Sequence, residues 1–144
     1  MIRHAGLIAR RLDGVWKGAL IEGASGAGKS DLALRCLDLG FRLVADDRVE
    51  LWASDGRLYG AAPPALAGLL EVRGEGVVPV AALPLAEVVL VVQDGQPERA
   101  PDPDTTEIAG IALPRLVFSL TEPSAAAKLS RALARFDGDP NRRM

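Results

Sequence analysis

The sequence predicts a single α/β domain in which a glycine-rich turn joins a strand to the first helix. Three observations favour this class. The segment "GASGAGKS" at 23–30 lies between a strand-like run and a helix-like run. The run "EVVLVVQD" at 87–94, which is unbroken apolar from Val88 to Val92, has the character of a strand buried on both faces. A length of 144 residues is also enough for one hydrophobic core, which must be aliphatic because aromatic residues make up only 4%.

The composition excludes several classes of protein. A formal net charge of −2 provides no basic face for nucleic acid. Cys36 is the only cysteine, so no intrachain disulfide can form and a reducing compartment is expected. No segment approaches the ~20 apolar residues of a membrane span, and the N-terminus lacks the apolar core of a signal peptide. We therefore expect a soluble cytoplasmic protein.

The secondary structure follows from periodicity and turn residues. The expected elements are, in order, a strand at 15–22, a helix at 30–39, a strand at 41–45, a hairpin at 48–64 about the turn "SDG", a strand at 87–94, a surface loop at 94–104 and an alanine-rich helix at 124–136. Gly40 stands where a helix C-cap is expected. We expect one catalytic domain at 1–136 and a flexible tail at 137–144.

The glycine-rich segment fits the phosphate-binding pattern G-x-x-x-x-G-K-[S/T]. Its glycines allow successive backbone N–H groups to point at phosphate oxygens, and the helix that follows directs its positive dipole end to the same place. Lys29 can neutralise the β- and γ-phosphates, and the Ser30 hydroxyl suits Mg²⁺. The residues expected to bind a nucleoside triphosphate are Gly23, Ala24, Ser25, Gly26, Ala27, Gly28, Lys29 and Ser30.

A second carboxylate of such a site usually ends an apolar strand, and two strand ends offer one. Asp94 ends the apolar stretch and leads into a proline-rich loop, where a turn role is favoured. The pair Asp46 and Asp47 follows "RLVA", and Asp47 lies 17 positions past Ser30. That spacing can return Asp47 to the phosphates, where it could accept a proton or hold a metal. Spacing alone leaves a functional role and a turn role equally open.

Three motifs in order carry a family resemblance. The runs "GASGAGKSDLALRCLDLGFRLVADDRVEL" and "GAAPPALAGLLEVRGEGVV" contain the phosphate loop, "LVADD" and "EVRGEG". Together they resemble the catalytic domain of HPr kinase/phosphorylase, over about residues 18–80. The resemblance implies a P-loop nucleotide-binding domain of the phosphoenolpyruvate carboxykinase-like fold, with a central mixed sheet. It implies ATP and Mg²⁺ as cofactors and a serine of an HPr-like phosphocarrier protein as acceptor, with phosphorolysis as a reverse activity.

The resemblance also implies roles for individual residues. Asp47 matches the proton acceptor of phosphorylation and the proton donor of the reverse reaction, beside Lys29 of the phosphate loop. Glu71 matches a second Mg²⁺ ligand, in addition to Ser30. His4 lies upstream of the phosphate loop, as the family's active-site histidine does, and Arg99 is the best candidate for a catalytic arginine.

Some features depart from the family pattern. Glu75 stands between two glycines where relatives commonly carry an apolar residue. The last third lacks the basic, glycine-containing loop of relatives, so the resemblance supports kinase activity better than phosphorylase activity. The chain resembles a short form with the catalytic domain alone, and a phosphate-loop face that must meet a protein suggests a homo-oligomer. Two other interpretations stay open, namely a P-loop small-molecule kinase and a nucleotide-binding regulatory module without catalysis.

Overall fold

The structure is a computed structural model, and it describes residues 1–97 and 104–136. Within these residues the chain forms eleven strands, two α-helices and a short 3₁₀ turn at Pro64–Leu66. In chain order the elements are β1 (Ile2–Arg3), β2 (Gly6–Leu12), β3 (Val15–Glu22), α1 (Lys29–Leu37), β4 (Arg42–Ala45), β5 (Val49–Ser54), β6 (Arg57–Ala61), β7 (Leu69–Val72), β8 (Gly76–Pro79), β9 (Ala86–Asp94), β10 (Thr105–Ile108), β11 (Ile111–Phe118) and α2 (Ala125–Arg135). In the described part of the chain, neither helix has the length and apolar character needed to cross a membrane.

Nine strands form one mixed sheet, and β7 and β8 form a separate hairpin. The main order is β1-β5-β6-β9-β3-β2-β4. The central strand β9 pairs in parallel with β3, antiparallel with β6 through its first half, and in parallel with β11 through its second half. The strand β10 extends this side by pairing with β11. The α/β class and the central mixed sheet are therefore as predicted.

The two ends of the main strand order are joined by the chain itself. β1 continues into β2 after His4 and Ala5, and β4 continues into β5 after residues 46–48. Because β1 pairs with β5 while β2 pairs with β4, the two segments run beside each other as one bent antiparallel ribbon. At the bend, the Ala5 N–H donates to the Asp47 carbonyl at 3.1 Å. We call segments 2–9 and 42–50 the closing ribbon, since they bring the ends of the curled sheet together.

The core lies on both faces of the sheet. Both helices pack against one face, where the sheet contributes Ile21, Val89 and Val92 and the helices contribute residues such as Leu32 and Leu129. The second core fills the inside of the curl with residues from β2 to β11. It contains Ala5, Leu7, Ala9, Leu20, Val44, Ala45, Val49, Leu51, Leu58, Ala86, Val88, Val91, Ile108 and Leu113. Residues 86–92 of β9 are buried throughout, as its unbroken apolar run predicts.

Most predicted elements are present within one or two residues of their expected bounds. The helix begins at Lys29 and ends at Leu37, and Gly40 in the following turn has φ +88°. The strands β1, β2, β7, β8, β10 and β11 are not among the predicted elements. Local pattern hides several of them, since Arg10 and Arg11 interrupt β2, and Pro114 interrupts β11. The predicted tail at 137–144 and most of the predicted 94–104 loop lie outside the described residues.

Cys36 gives a test of the core between α1 and the sheet. Its side chain is fully buried, and burial raises the pKa of the thiol to about 11. The thiolate is the reactive form, so near pH 8 its population falls by about two orders of magnitude relative to an ordinary thiol. We expect 5,5′-dithiobis(2-nitrobenzoate) to label the native protein far more slowly than the same chain in denaturant. Equal labelling rates would show that this core is open to solvent.

Candidate functional site

The phosphate loop connects β3 to α1, which is the strand–loop–helix context that its motif requires. Gly26 and Gly28 have φ values of +84° and +103°, in the left-handed region where glycine is favoured. Gly28 immediately precedes the helix, and the Ala27 N–H closes a turn on the Ala24 carbonyl at 3.0 Å. The unpaired N–H groups of the first helical turn therefore lie directly after the loop.

The phosphate loop is closely packed against the end of β9 and the segment after β11. A Cβ added at Gly23 would lie 3.1 Å from the Cβ of Asp94, and one at Gly28 would lie 2.9 Å from Cγ2 of Thr121. The Asp94 carboxylate accepts a hydrogen bond from the Leu120 N–H at 3.1 Å, which ties the end of β9 to the segment after β11. The sequence context favours a turn role for Asp94; in the structure Asp94 is the last residue of β9, and its carboxylate makes this long-range connection.

Two side chains of the loop make polar contacts across it. The Lys29 ammonium donates to the carbonyls of Gly23 at 2.6 Å and Ala24 at 3.1 Å, and only 8% of the residue is exposed. Its charge is therefore held at the mouth of the loop. The Ser30 hydroxyl donates to Asp46 Oδ1 at 2.7 Å, so the helix start is tied to the end of β4.

Asp46 connects three parts of the site. It is 7% exposed, and its second oxygen accepts a hydrogen bond from the Glu71 N–H at 3.0 Å. One buried carboxylate therefore joins the phosphate-loop helix, the end of β4 and the hairpin strand β7. Sequence reasoning gave Asp46 no defined role. The one local signal for its burial is its position directly after three consecutive buried residues of β4.

Asp47 lies at the bend of the closing ribbon. The Arg48 N–H donates to the Asp46 carbonyl at 2.8 Å, which makes a three-residue turn centred on Asp47. Asp47 has φ +70°, and a left-handed conformation at a residue other than glycine costs of order 1–3 kcal/mol and is frequent at active sites. Its exposed carboxylate lies 2.5 Å from Nε2 of His4. Asp47 therefore forms the centre of a turn and also exposes its carboxylate beside His4.

The site residues meet at one cavity of about 290 Å³. It is lined by His4, Ser25, Gly26, Gly28, Lys29, Ser30, Asp31, Leu34, Asp47, Glu71 and Arg73. Gly23, Ala24 and Ala27 form the back of the loop and do not line the cavity, and neither does Glu75, in the turn of the β7–β8 hairpin. Arg99 lies outside the described residues. The structure thus brings His4, Asp47 and Glu71 to the phosphate loop.

The oxygen atoms of Ser30 and Glu71 at the cavity could serve as metal ligands for a hard cation that takes its remaining ligands from substrate and water. Ser30 supplies a hydroxyl and Glu71 a carboxylate, and within the described residues no group of three His, Cys, Asp or Glu side chains could hold a metal by itself. Mg²⁺ is usually held by one or two protein oxygens together with substrate phosphates and water. This donor set is consistent with Mg²⁺ bound together with a nucleotide.

Comparisons with known proteins agree with one another. The family model described as the HPr Serine kinase C-terminal domain matches residues 10–90. HPr kinase/phosphorylase of Limosilactobacillus reuteri is 40% identical over 69% of this chain and 36% of its own length. The same enzyme of Lacticaseibacillus casei is 52% identical over 44% of this chain and 20% of its own length. The chain thus spans about a third or less of these relatives.

A solved structure covers nearly the whole chain. The Hpr(Ser) kinase/phosphatase from Coxiella burnetii superposes with a TM-score of 0.77 and 27% identity, over 92% of this chain and 93% of that one. The curled mixed sheet is therefore shared with this protein.

The buried Asp46 link gives a test of the site's architecture. Asp46→Ala leaves the Ser30 hydroxyl and the Glu71 N–H without their acceptor, so we expect the free energy of unfolding to fall by about 1–3 kcal/mol. Asp46→Asn should cost less, because its amide oxygen can still accept from Glu71 while its NH₂ donates to Ser30. Urea unfolding measures both values. The control is the exposed neighbour: Asp47→Asn should stay within about 0.5 kcal/mol, and an equal loss in both positions would contradict the link.

Proposed function

The chain belongs to the HPr serine kinase C-terminal domain family, and from this premise we propose that it transfers the γ-phosphoryl group of ATP to a serine of an HPr-like phosphocarrier protein. One observation carries the proposal. An exposed carboxylate, Asp47, lies against His4 at the same cavity as the phosphate-loop residues Lys29 and Ser30. A kinase needs these two halves together, one to hold phosphates and one to receive a proton from the acceptor.

The phosphate half is supplied by the loop and the start of α1. The Lys29 ammonium can exchange its carbonyl partners for phosphate oxygens without leaving the loop, because those carbonyls belong to the loop itself. The N–H groups at the start of α1 add a positive electrostatic potential at the same place. These groups stabilise the charge that spreads over the phosphoryl oxygens during transfer.

Ser30 and Glu71 would hold Mg²⁺. When bound, this ion neutralises charge on the β- and γ-phosphates. The Ser30 hydroxyl donates a hydrogen bond to Asp46 Oδ1, with 2.7 Å between the two oxygens, which leaves the lone pairs of the Ser30 oxygen available to the ion. The Glu71 N–H bond to the same Asp46 carboxylate fixes the backbone from which the Glu71 side chain extends. Asp46 therefore acts on both metal ligands without itself lining the cavity.

The proton half is Asp47 with His4. In the forward reaction a bond forms between the acceptor serine oxygen and the γ-phosphorus, the bond from that phosphorus to the β,γ-bridging oxygen breaks, and ADP leaves. The serine proton passes to the Asp47 carboxylate. His4 hydrogen-bonds one oxygen of that carboxylate and so directs the other toward the acceptor. In the reverse direction an oxygen of inorganic phosphate attacks the phosphorus of phosphoserine, the bond between that phosphorus and the serine oxygen breaks, and pyrophosphate leaves. The protonated Asp47 returns the proton to the serine oxygen.

Arg99 completes the proposed catalytic set as a cation that stabilises transferring phosphate, by analogy with the arginines of other phosphoryl-transfer enzymes. This assignment is carried by the family resemblance alone.

A phosphotransfer assay tests the proposed function. The protein is incubated with ATP, Mg²⁺ and a purified HPr-like carrier, and the product is analysed by mass spectrometry. Phosphoserine on the carrier is the expected result, and inorganic phosphate added afterwards should remove it if the reverse activity is present. Hydrolysis of ATP without transfer to the carrier would overturn the proposal. Transfer only to a small metabolite would also overturn it and would favour a small-molecule kinase. Nucleotide binding without any transfer would favour a regulatory module.

Asp47→Asn is the sharpest variant for the chemistry. Asparagine tolerates positive φ and keeps the side-chain shape, but it cannot accept the serine proton. We expect kcat for carrier phosphorylation to fall by about 10²- to 10⁴-fold, with the ATP dissociation constant unchanged by calorimetry. Asp55→Asn is a matched control, because Asp55 is also an exposed aspartate at positive φ, in the turn between β5 and β6. Unchanged turnover in Asp47→Asn would remove Asp47 from its role.

A further inference from the structure

An ion pair crosses from the start of the closing ribbon to the strand before the phosphate loop. The Arg3 guanidinium donates to Glu22 Oε2 at 2.8 Å, and the two side chains are 32% and 22% exposed. Neither residue lines the cavity. Their neighbours in sequence are the site itself, since His4 follows Arg3 and Gly23 follows Glu22.

The pair lies where the β2–β3 ladder stops. The β2–β3 ladder ends with Gly6 opposite Ile21, so Glu22 has no partner on β2. Among the described residues, the Arg3–Glu22 pair is the one hydrogen bond that ties residues 1–4 to β3. It extends the connection between the ribbon and β3 by one residue beyond the ladder, through side chains.

The strand that precedes His4 is held mainly by one neighbour. The edge strand β1 is two residues long and pairs with β5 at two positions, and Met1 before it exchanges two backbone hydrogen bonds with Leu51. Beyond His4, the Ala5 N–H donates to the Asp47 carbonyl. Short edge strands fray readily, and their local opening needs far less free energy than global unfolding. A small displacement of β1 would move the His4 imidazole from Asp47 while the rest of the sheet stayed folded.

We propose that Arg3 and Glu22 are positioning residues that hold His4, and through it Asp47, at a fixed distance from the phosphate loop. The inference rests on the proposed function, because the geometry matters only if phosphoryl transfer occurs between these two halves. Partly exposed ion pairs contribute little to global stability, so the effect expected is on local geometry.

Kinetics of the two single variants test the proposal. Arg3→Gln and Glu22→Gln should each lower kcat for carrier phosphorylation by about tenfold, since small misplacements of catalytic groups are costly. The KM for ATP should change by less than about twofold, because the loop residues themselves are untouched. The swapped double variant, Arg3→Glu with Glu22→Arg, should recover most of the lost kcat. Asp104→Asn is the matched control, because it removes the Asp104–Arg115 pair, which has the same 2.8 Å distance, and leaves the Arg115 hydrogen bond to Gln93 in place. Neither Asp104 nor Arg115 lines the cavity.

A second readout is independent of catalysis. His4 is the only histidine, so carbethoxylation by diethyl pyrocarbonate, followed by ultraviolet absorbance, reports on one imidazole. The modification rate should rise severalfold in both single variants and return toward the wild-type value in the swapped variant. If wild-type protein fails to phosphorylate any carrier, the proposed function fails while this measurement still tests the link. Wild-type kcat and wild-type His4 reactivity in both single variants would overturn the inference, as would a folded swapped variant that recovers neither.

Discussion

The site depends on the closing ribbon, in which consecutive strands of the chain join the two ends of the curled sheet. β1 continues into β2, and β4 continues into β5. Because β1 pairs with β5 and β2 pairs with β4, the two ends of the strand order meet along the closing ribbon. The ribbon bends between its β1–β5 part and its β2–β4 part. The bend falls at His4 on one segment and at Asp46–Asp47 on the other. A backbone turn with φ +70° at Asp47 accommodates it. The positions of His4 and Asp47 above the phosphate loop therefore follow from the topology.

The bend also separates two adjacent, chemically identical side chains. Asp46 follows the buried residues of β4 and accepts hydrogen bonds from the Ser30 hydroxyl and the Glu71 N–H, so both of its carboxylate oxygens are paired inside the protein. Asp47 is turned outward by the left-handed backbone and keeps its carboxylate exposed beside His4. Neighbouring residues of an extended chain point to opposite sides, and the turn increases that separation. In the proposed function, Asp46 thus orients Ser30 and Glu71, and Asp47 exchanges a proton with the acceptor.

The strand–loop–helix arrangement around the phosphate loop could be predicted, because the glycines, Lys29 and Ser30 are contiguous and act through local backbone geometry. Helix α1 and strand β9 were equally accessible, since periodicity and unbroken apolar character are local signals. The hydrogen bonds of Asp46 could not be predicted, because their donors, Ser30 and Glu71, lie 16 and 25 positions away from it in the sequence. The closing ribbon could not be predicted for the same reason. In addition, Arg10 and Arg11 interrupt the apolar pattern of β2, which forms part of the ribbon. Asp47, Glu71 and His4 were identified by resemblance, as their spacing does not reveal that they share a cavity.

The most direct test of this account is the ¹H–¹⁵N spectrum of the single histidine side chain. If the closing ribbon places His4 against Asp47, the Nε2 resonance should shift in Asp47→Asn and stay unchanged in Asp55→Asn, which alters a comparable exposed turn aspartate. An Nε2 resonance that is identical in wild type and Asp47→Asn would show that the two side chains do not meet. The proposed proton-transfer pair would then have no structural basis.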